Sequence, residues 1–188
     1  MANDCCGTMR VVAKSKDTLA RIEKIMTYKD DEYFVSRVRG FSKLLKKPFE
    51  KDGLWVQDFE VDGAWDCEHF FSTTEDKDEI GIIGYEKKEN GENDWDKPIY
   101  GTAHLTNLVK LTEALDFGCE LFSEEPNCGF CEHILCNHLG EITVETDDLE
   151  VKFPLDEDGN EDDTAEPEMV YGIDGFYEFS YPNEIYGD

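Results

Sequence analysis

Five side chains able to bind a soft metal crowd into eleven residues at Cys128-x-x-Cys131-x-His133-x-x-Cys136-x-His138. Zinc takes four Cys or His ligands in a tetrahedron, and a Cys-x-x-Cys turn commonly supplies two of them. Cys128, Cys131, Cys136 and His138 make the best quartet, pointing to a structural zinc rather than a catalytic one. If residues 130–139 form a regular strand, however, Cys131 and Cys136 point to opposite faces. The same cysteines then serve as small buried hydrophobes. No other cofactor is expected.

Two further patterns invite chemistry. Cys67 and His69, flanked by Asp66 and Glu68, resemble a nucleophile and base. No Gly-rich elbow, oxyanion-hole motif or phosphate-binding glycine loop accompanies them, so no enzyme is expected. Asp156-x-Asp158-x-Asn160-x-Asp162 imitates the first half of an EF-hand loop. The imitation fails at its sixth position, Glu161 for glycine, and at its twelfth, Pro167 for a bidentate Glu. Cys5 and Cys6 fall before the first apolar run and read as a terminus without information.

Acidity is the dominant property. Net charge is −27 over 188 residues, and it is unevenly placed. Residues 1–51 hold 12 Lys and Arg against 7 Asp and Glu, a net of +5, which leaves −32 for residues 52–188. Glu141 to Glu168 alone carry thirteen acids against one base, Lys152. The densest part of that stretch lacks apolar side chains to bury and reads as a solvated loop. Yet 12 Phe, 8 Tyr and 3 Trp are enough for a core, so charge does not mean disorder here. Phosphates would be repelled, which excludes direct DNA or RNA binding through the acidic surface. The favoured partner is basic. The basic segment 1–51 is available for an acidic surface, including a second copy in a homodimer. Neither an apolar run long enough for a membrane span nor a secretory signal is evident, and seven cysteines without such a signal suggest reduced thiols in a cytoplasm.

The elements that must position these groups alternate in type. Met9 to Ala13 reads as a strand, and Leu19, Ile22, Ile25 and Met26 form a helical stripe capped by Ser15 or Asp17. Tyr33 to Phe41 reads as a second strand. Leu54 to Trp65 is the clearest strand, with Trp55, Phe59, Val61 and Trp65 on one face and Asp58, Glu60 and Asp62 on the other. His69 to Ser72 continues the sheet, Glu79 to Tyr85 is another strand, and Lys87 to Lys97 is a polar loop. A helix capped by Thr106 or Asn107 carries Leu108, Leu111 and Leu115 and ends at Gly118. Residues 119–123 and 130–139 form a hairpin about Pro126-Asn-Cys-Gly129. Ile142 to Thr146 pairs with Leu149 to Phe153, and Gly175 to Tyr181 is the last strand.

This order predicts an α+β fold. The opening strand and helix through Met26, Gly63-Ala-Trp-Asp66 closing an aromatic strand, and the helix 106–115 leading into Phe122-Ser-Glu-Glu-Pro-Asn-Cys-Gly-Phe130 carry a likeness. Over residues 8–145 the chain resembles the YubB-like, ferredoxin-like family of plasmid- and phage-borne proteins, although that family has Trp-Gly-Thr-Lys-Trp at the strand end. The resemblance implies a mobile-element origin and a ferredoxin-like antiparallel sheet with two helices on one face, to which extra C-terminal strands are added. It implies no activity. The expected organisation is a ferredoxin-like domain over 1–154, an acidic loop over 155–168 and a strand within 169–188 completing the same domain.

The function that follows from charge is inhibition by imitation. An acidic mobile-element protein would bind the basic groove of a host defence protein, a CRISPR effector or restriction nuclease, with carboxylates in place of phosphates. Asp58, Glu60, Asp62, Asp147, Asp148, Glu150, Asp156, Asp158, Asp162 and Asp163 are the expected contacts. The alternative is a zinc-stabilised interaction module whose acidity serves solubility alone.

Overall fold

The computed structural model describes residues 4–64, 66–73, 77–90, 93–155, 159–162 and 164–187. Its first strand, β1 (Asp4–Ala13), starts earlier than the apolar run suggests, because Cys5 continues the inward alternation of Met9, Val11 and Ala13. Helix α1 (Lys16–Met26) follows at once. The Ser15 hydroxyl accepts the Thr18 N–H at 3.2 Å, and Asp17 and Lys24 sit at the ends where the helix dipole favours them. Leu19, Ile22, Ile25 and Met26 are buried as their spacing requires.

The predicted strand 33–41 is two strands in two sheets. Between β2 (Tyr33–Val35) and β3 (Val38–Lys43), Arg37 adopts a φ of 70°, which an extended chain cannot contain. Then come β4 (Phe49–Lys51) and β5 (Leu54–Ala64). His69–Thr73 is a π-helical turn rather than a sheet extension, and it buries Phe70 and Phe71. The predicted loop 87–97 is mostly strand, since β6 (Lys77–Lys87) and β7 (Asn93–Thr106) make a long hairpin. Asn107 caps α2 (Leu108–Leu115) by accepting the Lys110 N–H. Asp116, not Gly118, takes the left-handed C-cap at φ 56°.

Strands β8 (Phe117–Glu125) and β9 (Phe130–Cys136) form the expected hairpin. β10 (Ile142–Lys152) is one strand where the sequence predicts a pair, because its first half pairs with β9 and its second half with β11 (Glu168–Tyr171). The eight-stranded antiparallel sheet runs β11-β10-β9-β8-β1-β5-β3, with β4 also on β5. A smaller sheet, β2-β7-β6, pairs β2 and β7 in parallel. The fold is therefore α+β and dominated by antiparallel sheet. No helix among the described residues is long and apolar enough to cross a membrane.

Both α1 and α2 pack on one face of the large sheet, against Met9, Val11, Phe59, Val61, Cys119 and Leu121. The other face is covered by the C-terminal segment. Residues 175–181 do not form the predicted strand, since Gly175 (φ 68°) and Tyr177 (φ 70°) turn the chain. Their alternating aromatics instead surround Phe122, with Phe176, Tyr177 and Phe179 centroids at 5.3, 6.0 and 5.2 Å. The chain closes with α3 (Pro182–Tyr186), whose Ile185 and Tyr186 bury against Val12, Leu54 and Val56. Gly118 lies beneath it, where a Cβ would collide with the Ile185 carbonyl.

Tyr186 also donates its hydroxyl to Asp116, and Lys14 stands 3.4 Å from the same carboxylate. The Tyr186 hydrogen bond, aided by Lys14, holds the Asp116 carboxyl below its ordinary 3.8. A lowered carboxyl stabilises the fold above its unfolded pKa, and that stabilisation disappears as pH falls through the lowered value. Asp116→Asn is thus expected to cost stability at pH 7 and nothing once both states are protonated. Urea midpoints of the two proteins should converge as pH drops below about 4.

Candidate functional site

The first half of β10 carries a run of exposed acids. Thr143 to Asp148 are all exposed, and β-branched Thr143, Val144 and Thr146 hold the run extended. β9 covers one edge of 142–148, whereas β11 begins only opposite Leu149. The outer edge of 142–147 thus carries no strand partner among the described residues, and the Asp148 carbonyl accepts the Gly172 N–H and the Cys131 thiol. Glu145 and Asp147 belong to one face and Asp148 and Glu150 to the other, with the exposed Asp147 carboxylate accepting the Asp148 N–H at 2.7 Å and lying against Gly172. Among the described residues, an ion pair reaches this group only from Lys152, 3.0 Å from Glu150. Charge on an open edge also blocks unwanted strand addition.

The acidic row on β5 has a different fate. Arg10 lies directly across the ladder from Asp58 and grips it with two hydrogen bonds of 2.8 and 2.9 Å. The same guanidinium lies over the Phe179 ring at 4.4 Å. Asp58 is therefore neutralised and half-covered, contrary to its assignment as a contact. Glu60 is exposed and accepts from Ser42 at 3.3 Å, and Asp62 is half-buried beside Gly40. Asp162 accepts both the N–H and the hydroxyl of Thr164, so it organises a turn. The predicted contacts Asp156, Asp158 and Asp163 lie outside the described residues.

The zinc quartet of the sequence is not brought together. Cys128 is exposed in the turn after β8; Cys131 is buried with Leu149 and Ile173; Cys136 is buried in the main core near Thr112. His138 stacks on Tyr186 at 4.3 Å with its Nδ1 on the Tyr186 carbonyl. The reason is the regularity of β9, which sends residues five apart to opposite faces. His133 pairs instead with buried Glu120 at 2.8 Å, and Glu120 also accepts the Ser180 N–H and hydroxyl. Nor do Cys67 and His69 form a nucleophile and base: Cys67 turns into the core, and His69 Nδ1 lies 2.5 Å from Asp66.

A different group converges. Cys5 from β1, Cys67 from the connection after β5 and Glu132 from β9 place their ligand atoms within 4.8 Å of one another. Their exposures are 0, 0 and 2 %. The sulfurs are 3.4 Å apart, and Cys5 Sγ is 3.7 Å from Glu132 Oε2. That oxygen also accepts the Cys67 N–H at 3.0 Å and the Ser123 hydroxyl at 2.8 Å. Burial, with Cys5 adding to it, pushes the Cys67 thiol well above its ordinary range, and burial raises the Glu132 carboxyl too. The sequence offers no motif for this group, because its members are 62 and 65 residues apart in succession. The only local signal was the period-two burial of β1, which extends to Cys5.

No family model, curated protein or solved structure matches this chain.

Proposed function

We propose that this protein acts by binding, occupying the cationic nucleic-acid groove of another protein with the β10 carboxylates standing in for phosphates. The observation that supports this reading is the exposed run of β10, where Glu145, Asp147 and Asp148 meet no counter-ion among the described residues. A strand holds such charges in a fixed layout, with same-face neighbours about 7 Å apart. Counting both faces, Glu145 to Glu150 present one carboxylate per roughly 5 Å, closer to a single nucleic-acid strand at 3.4 Å than to a duplex at 1.7 Å. A net charge of −27 adds long-range steering toward a basic target. Glu60 and Asp62 lie too far across the sheet to extend the β10 row and serve at most as a second patch.

The targets are host defence proteins, a restriction nuclease or an RNA-guided CRISPR effector. This part rests on the likeness to plasmid- and phage-borne YubB-like proteins. We further read β1, α1, β3, β5, α2 and β8 as a ferredoxin-like unit; the strand order β8-β1-β5-β3 with both helices on one face supports it. No chemistry of its own is required. The test is cleavage by a panel of purified nucleases and CRISPR effectors in the presence of this protein. Inhibition relieved by added salt or by excess uncleavable DNA is expected. Unaltered cleavage across the panel, or inhibition indifferent to both, would sink the reading.

A further inference from the structure

We propose that Cys5, Cys67 and Glu132 form a zinc site buried beneath the helical face of the large sheet, independent of the acidic edge. Zinc bonds sulfur at about 2.3 Å and oxygen at about 2.0–2.2 Å in a tetrahedron, so two such sulfurs stand about 3.8 Å apart and a sulfur and oxygen about 3.6 Å. The observed separations, 3.4 Å for the two sulfurs and 3.7 Å from Cys5 Sγ to Glu132 Oε2, lie close to the edges of that tetrahedron. Two sulfurs and a carboxylate suit a borderline-soft ion and are poor ligands for calcium or magnesium.

The surroundings carry the features of a metal site as well. A ligating carboxylate is usually held by outer hydrogen bonds, and Glu132 receives them from Ser123 and the Cys67 amide. A disulfide between Cys5 and Cys67 would require sulfurs at about 2.05 Å, well short of the 3.4 Å here. No fourth Cys, His, Asp or Glu joins the group among the described residues, so these three side chains supply the ligands. Zinc is held by thiolates, so its binding is coupled to loss of thiol protons to solvent. The ion would tie β1, the connection after β5 and β9, segments remote in sequence, into one body. Because the group is closed to solvent, the ion is acquired as the chain folds.

The experiment uses the full chain, expressed with zinc and purified under reductant without chelator. Elemental analysis should find about one equivalent of zinc, and X-ray absorption should find two sulfurs near 2.3 Å. Refolding with cobalt in place of zinc should give thiolate-to-cobalt charge-transfer absorption. Cys5→Ser with Cys67→Ser should abolish both, and Glu132→Gln, which replaces a ligating carboxylate, should weaken zinc affinity by more than the roughly 10–100-fold that loss of an outer partner costs. Cys128→Ser with His138→Ala should change neither. The X-ray absorption reading needs no variant, so it decides the matter even where the double serine variant fails to fold. Less than about a tenth of an equivalent together with no uptake of added zinc, bound zinc without sulfur ligands, or zinc undiminished in the folded serine variant each overturns the site.

Discussion

Reversing Glu145, Asp147, Asp148 and Glu150 together to lysine should remove the proposed inhibition of a target nuclease. Each exposed pair in such an interface contributes about 0.2–1 kcal/mol, and reversal replaces the attraction by a comparable repulsion. Four reversals therefore cost roughly 1.6 kcal/mol at the least, about fifteenfold in affinity, and several times that where the groove excludes water. The loss should appear in the association rate, and its size should shrink as salt rises. A control carries the same charge change elsewhere, at exposed Asp31, Glu89, Asp96 and Glu113. Titration against a nuclease at 150 mM salt separates the two. Equal loss from both quartets would mean that bulk charge acts without the β10 layout, and survival of inhibition in the β10 variant would end the proposal.

Phe122→Ala should cost about 3–5 kcal/mol of folding stability. Phe122 is 2 % exposed, stacked on His133 at 4.4 Å and enclosed by Phe176, Tyr177 and Phe179. Deleting the ring leaves a cavity under a segment that has no strand to hold it. The substitution should therefore loosen residues 172–187 first, and limited proteolysis should cut there before the sheet unfolds. Phe122→Leu keeps much of the volume and should lose far less. Chemical denaturation gives the magnitude. A loss below about 1 kcal/mol for the alanine variant would show that the C-terminal segment is not clamped through this ring.

The two expectations differ in how far the residues behind them were visible in the chain. The concentration of acid between Glu141 and Glu168 is plain in the sequence, and β10 does lie inside it. Which carboxylates stand without a counter-ion was not visible. Asp58 looked equivalent to Glu60 on an alternating strand, yet Arg10, 48 residues away, is its ladder partner. The Cys and His residues of 128–138 are dispersed for a related reason. A cluster of Cys and His within one short segment invites joint ligation, but a regular strand deals them alternately to two faces.

What the sequence by itself determined are the features encoded within a few residues. The starts of α1 and α2 lie where capping side chains meet free N–H groups, with the structure choosing Ser15 over Asp17 and Asn107 over Thr106, and β5 turns its aromatics to the core by period two. Pro126-Asn-Cys-Gly129 turns the hairpin, with Gly129 at φ 71°. Only the tertiary structure decided that β10 changes partners midway, that the last aromatics wrap Phe122 instead of forming a strand, and that Cys5 meets Cys67 and Glu132. These depend on which distant segments become neighbours. That choice is made by the summed burial of whole faces and by ladder register, neither of which any single stretch of the chain contains.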